Sequence, residues 1–265
     1  MRRLRAPGAV SCDSARVFDR VTVTVADRDA AERFYETVLG AAGIEATRSS
    51  ERVAEWDDFS LVSAGPQRPA TRRLHVGFAA ATRDHVNAFW RAGRAAGHPD
   101  AGAPGPRPQY RDDYYGAFLI DPDGNSAEAV HHQAVRREGN VDHLWIRVAE
   151  LDASRRFFTA VMPHAGLRLH TDTPERVSFV CARTGGGTFS LVEGAPTEGM
   201  HMALRARDDD AVRAFHAAAI GAGYGDAGAP LERSEHDGRS YAAFTADPDG
   251  NTVGLVSHHR TAGDD

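Results

Sequence analysis

The chain repeats itself. The segment YGAFLIDPDGN that begins at Tyr115 returns as YAAFTADPDGN at Tyr241, an offset of 126 residues. Gly102-Ala-Pro and Arg107 return at the same offset as Gly228-Ala-Pro and Arg233. FSLV at Phe59 returns at Phe189, 130 residues on, and Asp19–Val25 aligns with Asp142–Val148, 123 residues on. Two repeats, residues 17–132 and 140–259, span nearly all of the 265 residues, with a short charged connector, Gln133–Gly139, between them. A duplicated unit of this kind builds its core from like elements set against one another.

Each repeat contains the same pattern twice. Val17–Val25 alternates and is rich in valine and threonine, which predicts a strand. Ala30–Leu39 places Phe34, Val38 and Leu39 on one face, which predicts a helix capped by Asp27. Short strands follow at Arg52–Trp56 and Phe59–Val62. The pattern then restarts with strand Leu74–Ala79, helix Arg83–Ala96, a Gly/Pro-rich loop Gly97–Pro108, and strands Tyr114–Ile120 and Ser126–Val130. Asp121-Pro-Asp-Gly makes the turn between the last two, since proline fixes one φ and glycine permits the positive one. The chain thus holds four βαβββ modules, numbered here in chain order.

Composition closes off several functions. The 31 cations are outnumbered by 37 acids, giving a net charge of −6, which excludes a strongly basic nucleic-acid binder. All the cations are arginine, so Schiff-base chemistry and a P-loop lysine are ruled out. Two cysteines, Cys12 and Cys181, are too few for a disulfide framework or a structural zinc site and predict a reduced, cytoplasmic protein. No apolar run reaches the roughly 18 residues of a membrane helix. Met1–Ser11 lacks the apolar stretch of a signal peptide and reads as a frayed tail, as does Thr261–Asp265. The expected partner is a small molecule, with neither nucleic acid nor membrane, for a monomer or homodimer.

The Asp-Pro-Asp-Gly-Asn turn followed three residues later by Glu128, together with Arg107-Pro-Gln-Tyr and Tyr114-Tyr-Gly-Ala-Phe, resembles the vicinal oxygen chelate superfamily: glyoxalase I, extradiol dioxygenases and bleomycin- and fosfomycin-resistance proteins. The resemblance covers both repeats. It implies an α+β fold, with four modules forming two cup-shaped mixed β-sheets and the helices outside. It is specific for fold and poor for reaction, because one fold hosts many chemistries.

The resemblance also implies metal-ligand positions early on the first strand and in the last strand of each module. These fall on Arg20 and Ser60, on His75 and Glu128, on His143 and Ser190, and on His201 and Gly254. If neighbouring modules pair, both cups are incomplete. If the inner modules two and three pair, His75, Glu128 and His143 meet, with Ser190 as the fourth position. The outer cup then holds Arg20, Ser60, His201 and Gly254, a degenerate second site without metal. The inner pairing is the favoured one. Two histidines and one carboxylate match the facial triad of non-haem Fe(II), so one divalent metal is expected, iron in preference to Zn, Ni or Mn.

A serine at position 190 is a poor general base, which weakens glyoxalase chemistry and favours a dioxygenase-like oxidoreductase acting on vicinal oxygens. Tyr110, Tyr114 and Tyr115 are candidates for an acid–base partner, with Tyr110 and Tyr115 preferred and Tyr114 assigned to substrate contact. A one-residue register decides which of Tyr114 and Tyr115 faces inward. Trp145 shares the parity of His143 and, with Arg107 and Ser190, is a candidate substrate contact. His132 keeps the parity of Glu128 and is a candidate support for a ligand. The alternatives are a glyoxalase-like metal-dependent isomerase or lyase and a metal-free drug-binding resistance protein, which a chelator would leave active.

Overall fold

The computed structural model describes residues 16–134, 138–181, 187–234 and 239–259. Cys12, both predicted tails and part of the connector lie outside them. Module one comprises β1 (Phe18–Val25), α1 (Arg28–Ala41), β2 (Arg48–Ser49), β3 (Val53–Trp56) and β4 (Phe59–Ser63). Module two comprises β5 (His75–Ala79), α2 (Arg83–Ala95), β6 (Asp100–Pro106), β7 (Tyr115–Ile120) and β8 (Ser126–His131). Module three comprises β9 (Val141–Val148), α3 (Leu151–Val161), a 3-10 turn, β10 (Leu167–Asp172), β11 (Val177–Cys181) and β12 (Gly187–Glu193). Module four comprises β13 (His201–Arg205), α4 (Asp209–Gly221), β14 (Asp226–Ser234), β15 (Arg239–Ala246) and β16 (Thr252–His258).

The strands form two eight-stranded mixed sheets. One runs β10-β11-β12-β9-β5-β8-β7-β6 and the other β14-β15-β16-β13-β1-β4-β3-β2. Modules two and three therefore share the inner sheet, and modules one and four share the outer sheet. The sheets cut across the connector, so each takes one module from either side of it.

Side-chain alternation sorts the two faces of each sheet. On β1, Val21, Val23 and Val25 are fully buried toward the helices, and Arg20 and Thr22 face the other way. Helices pack within a repeat, α1 on α2 and α3 on α4. Asp27 caps α1, Thr82 caps α2 and Asp208 caps α4, each accepting from the backbone N–H three residues on. The α1 stripe Phe34, Tyr35, Val38 and Leu39 is fully or almost fully buried. Tyr35 packs at a tilt against Phe59 of the outer sheet, whose ring meets Phe78 of the inner sheet with centroids 4.9 Å apart. Truncating an aromatic side chain at such a seam costs about 3–5 kcal/mol.

The duplicated turn ties the modules together. Asp121 accepts from the N–H of Asp123 and of Asn125. Asn125 accepts from Leu74 N–H and donates to Thr71, fixing the start of β5. Asn251 does the same with Met200 and Thr197 before β13. Asp123 also accepts from Ala26 N–H, which joins module two to the end of β1.

The segment predicted as a loop, Gly97–Pro108, contains the edge strand β6. Its prolines and bulges obscure the alternation, and an edge is where a sheet tolerates them.

Asp58 spans the two sheets. Its carboxylate accepts from Asn140 and Val141 N–H at the start of β9. It is 1% exposed. Burial raises its pKa to about 6, against those hydrogen bonds and Arg16, which act to lower it. The folded state thus holds this proton more tightly than the unfolded chain. Stability from this group is present below about pH 4 and is lost as pH rises through about 6, on the order of 3 kcal/mol in all. Denaturation at pH 4.5 and 7.5 should show wild type gaining stability on acidification relative to Asp58→Asn. Equal pH slopes in the two proteins would contradict this.

Candidate metal centre

Strand register builds the site. β5 and β9 are antiparallel, with His75 opposite Trp145, Val76 opposite Leu144 and Gly77 opposite His143. The local two-fold through Val76 and Leu144 makes His75 and His143 equivalent positions. Glu128 lies beside Gly77 on β8, and Ser190 lies beside Trp145 on β12, so these two are equivalent as well.

His75 Nε2 lies 2.9 Å and His143 Nε2 3.3 Å from Glu128 Oε2. Among the described residues these three form the single group of His, Cys, Asp or Glu donors that converges, with all ligand atoms within 4.8 Å. Donors about 2.1 Å from one ion lie about 3.0 Å apart at right angles and about 3.4 Å apart at tetrahedral angles, so the spacing fits a metal. The other ring nitrogens are engaged. His75 Nδ1 meets Ser126 Oγ at 2.9 Å, and His143 Nδ1 meets Asp142 Oδ2 at 2.9 Å. Such bonds fix ring orientation and present Nε2 to the site.

Asp142 precedes His143 and by alternation belongs to the opposite face. A bulge brings it round, because Gly77 pairs with His143 while Phe78 pairs with Val141, leaving residue 142 unpaired. Asp142 also lies 3.4 Å from His132 Nε2, whose ring stacks on Tyr114. His132 therefore reaches His143 through Asp142 and does not touch the three donors directly.

Glycines make room for the donors. A Cβ on Gly77 would stand 2.3 Å from the His143 ring, and one on Gly116 would stand 2.4 Å from Glu128 Oε1. Tyr114 O–H donates to Glu128 Oε1 at 2.8 Å. Burial and the adjacent carboxylates raise the Tyr114 phenol far above its ordinary range, so it stays protonated. Burial would raise the Glu128 carboxyl, but hydrogen bonds from His143 and His75 outweigh it and bring the pKa to about 2. His143 shows the reverse balance. Burial would lower it, yet Asp142 and Glu128 push it up to about 10. Asp142 is held well below the usual carboxylate range, its hydrogen bonds to His132 and His143 overcoming burial. Burial lowers His75 in spite of Glu128.

A cavity of about 390 Å3 opens over His75 and Glu128. Tyr110, Tyr114, Phe118, Trp145, Arg73 and Arg147 are among its lining residues. Tyr110 is 44% exposed, with its ring centroid 5.9 Å from that of Trp145.

Several expected residues stand elsewhere. Phe118 opposite Glu128 fixes the β7 register, so even-numbered residues face the cavity and Tyr115 faces the helices. Its hydroxyl donates to Asn87 on α2, and Arg83 covers its ring, so the preference for Tyr115 as an acid–base group is corrected. Arg107 is spent on its own loop. It donates to Ala103 and Pro106 carbonyls and lies over the Phe118 ring, outside the residues that line the cavity. Ser190 holds the fourth position by register but is not among the lining residues, where Val192 of the same strand is found. Asp142, Ser126 and Phe118 carry no spacing signal of their own. The alignment of Asp19-Arg20 with Asp142-His143 was the visible hint at Asp142.

The outer cup is built to the same register. Arg20 and His201 are equivalent across β1 and β13, and Ser60 and Gly254 lie beside Thr22 and Ala203. A Cβ on Gly254 would stand 2.4 Å from Phe244, and Ala242 replaces the glycine found at 116. Both changes close the space that Glu128 uses in the inner cup.

Residues 17–129 match the family described as Glyoxalase/Bleomycin resistance protein/Dioxygenase superfamily. Among solved structures, a V278E mutant of glyoxalase I from Zea mays is 18% identical, with a TM-score of 0.65 over 91% of this chain and 92% of that one. A putative dioxygenase from Bacillus subtilis is 14% identical, with a TM-score of 0.61 over 93% of this chain and 87% of that one. No curated protein matches the chain by sequence. The family match covers the first two modules, residues 17–129, and the likeness of fold to these solved structures extends over nearly the whole chain.

Proposed function

We propose that the inner cup binds one divalent metal through His75, Glu128 and His143, and that the protein is an enzyme acting on a small molecule with two neighbouring oxygens. The finer reading is a non-haem Fe(II) oxidoreductase of the dioxygenase type, with Zn, Ni or Mn as alternative ions. The donor set carries this reading: two imidazole nitrogens and one carboxylate oxygen on one face, with serine at the fourth position. That set is the one associated with Fe(II) and open coordination positions. When bound, the metal would supply Lewis-acid and one-electron chemistry.

The chain's own residues supply the rest. Ser126 and Asp142 aim the two imidazoles, and Tyr114 holds Glu128 by its second oxygen. Trp145 and Tyr110 offer aromatic faces to a planar substrate at the mouth, and Arg73 and Arg147 offer positive charge to an oxygen anion. Tyr110, exposed and beside Tyr114, is the phenol placed to exchange a proton with substrate.

A metal-dependent isomerase is the second reading, favoured by the whole-chain likeness to maize glyoxalase I. The serine at 190 weighs against it, because no carboxylate stands there to act as base.

Protein loaded anaerobically with Fe(II) should hold about one metal per chain, as expected for one triad. His143→Ala should lose it and His201→Ala should keep it. Loss in both variants, or no metal under any loading, would refute the assignment. Oxygen consumption with catechols separates the oxidoreductase from the isomerase, which uses none.

Two milder variants test the geometry. Gly77→Ala should fold but weaken metal binding at least about tenfold by displacing the His143 ring, and Asp142→Asn should cost about 10–100-fold in metal affinity. Metal titration followed by tryptophan fluorescence reads both. Wild-type affinity in either variant would show that the bulge and the glycine gap do not position His143.

A further inference from the structure

The outer cup has lost the donors for a metal and kept a cavity. That cavity is about 930 Å3, against about 390 Å3 in the inner cup. Its floor is made of Arg20, Ser60 and His201, and Arg68 and Arg233 also line it.

Four arginines, Arg20, Arg48, Arg68 and Arg233, face four carboxylates there, but the pairing among them is not balanced. Four carboxylates border the cavity, and each is engaged. Glu55 pairs with Arg20, Glu198 with Arg73, and Asp19 with His258, while Asp249 accepts from Ala149 N–H. Arg68 and Arg233 pair with no carboxylate among the described residues. Arg233 lies over the Phe244 ring at 5.0 Å, and its Nε is buried with no hydrogen-bond partner. Its counterpart in module two, Arg107, instead spends its donors on loop carbonyls.

His201 senses the same imbalance. Burial first, then the charges of Arg68, Arg20 and Arg233, lower its pKa to about 4. All three charges that act on it are positive. The imidazole is therefore neutral at pH 7 and can donate one N–H without adding charge. Thr22 and Ser60 hydroxyls, 2.9 Å apart, stand beside it on the floor. Phe244, Val62 and Val256 make an apolar wall.

We propose that the outer cup binds a small organic acid with a dianionic head, a dicarboxylate or a phosphate monoester, held by Arg68, Arg233 and Arg20 with His201 as a further donor. Two arginines without acids match two negative charges. Guanidinium forks suit carboxylate and phosphate oxygens alike. The apolar wall and the size of the cavity leave room for an organic body beyond the head. No metal takes part, so the site is independent of the inner cup.

Isothermal titration of the full chain in chelator at low salt tests this. The probes are succinate and phenyl phosphate, with neutral succinamide as control. One saturable site per chain is expected for at least one of the two anions and none for succinamide. Whichever anion binds identifies the head group. The affinity should fall at least about tenfold in Arg68→Gln and in Arg233→Gln and stay unchanged in His75→Ala, which disables the inner cup. Should either arginine variant melt well below wild type, the proton resonances of the His201 ring in wild type serve instead. They must shift as the anion saturates. No saturable binding of either anion, equal binding to the arginine variants, loss in His75→Ala, or an unmoved His201 ring would each overturn the proposal.

Discussion

The antiparallel pairing of β5 with β9 is the constraint on which the rest of the molecule depends. It joins a module from the first half of the chain to one from the second and sets Gly77 opposite His143. Because side chains alternate with a period of two, a slip of one strand by one residue would turn its histidine into the helix-packed core and break up the pair. The bulge at Asp142 is part of the same pairing. It breaks the alternation once, and that single break puts a carboxylate on His143 Nδ1. Both ends of the pairing are anchored elsewhere. Asn125 fixes the start of β5, and Asp58 fixes the start of β9.

The two cups share one register and carry different side chains on it. Ligand positions are equivalent in both, and so are the bulged aspartates, with Asp142 on His132 and Asp19 on His258. What differs is a few side chains and the space around them. In the inner cup, Gly116 and Gly77 leave gaps that Glu128 and His143 fill. In the outer cup, Ala242 and Phe244 occupy the corresponding volume, and Gly254 stands at the position of Glu128. A donor set is thus a matter of cleared space as much as of ligand identity, because a buried carboxylate needs both room and partners. Without that carboxylate, cations gather around His201 instead.

Much of this was legible in the sequence. The duplicated Asp-Pro-Asp-Gly-Asn turns gave the module order, the family resemblance implied His75, Glu128 and His143 as ligand positions, and alternation put His143 with Trp145 and His75 with Gly77 on strand faces. Which modules pair was open to sequence in both arrangements; the inner one was favoured because it alone assembled a full donor set, and it is the one observed. Tyr114 and Tyr115 were beyond reach, because adjacent residues face opposite ways and the β7 register rests on pairing with β8, a tertiary fact. The place of Arg107 was hidden for a similar reason: a guanidinium next to a Gly/Pro-rich edge strand finds unpaired carbonyls close by. Asp142 was hidden by the bulge, since period-two reasoning assigns it to the wrong face.

The central claim is that a single metal sits among His75, Glu128 and His143 and that the outer cup holds none. Anomalous diffraction at the iron edge from crystals grown with Fe(II) under anaerobic conditions addresses it directly. The account predicts one peak per chain, bounded by the two Nε2 atoms and Glu128 Oε2. A peak beside His201, or no peak in the inner cup of a fully loaded crystal, would contradict it.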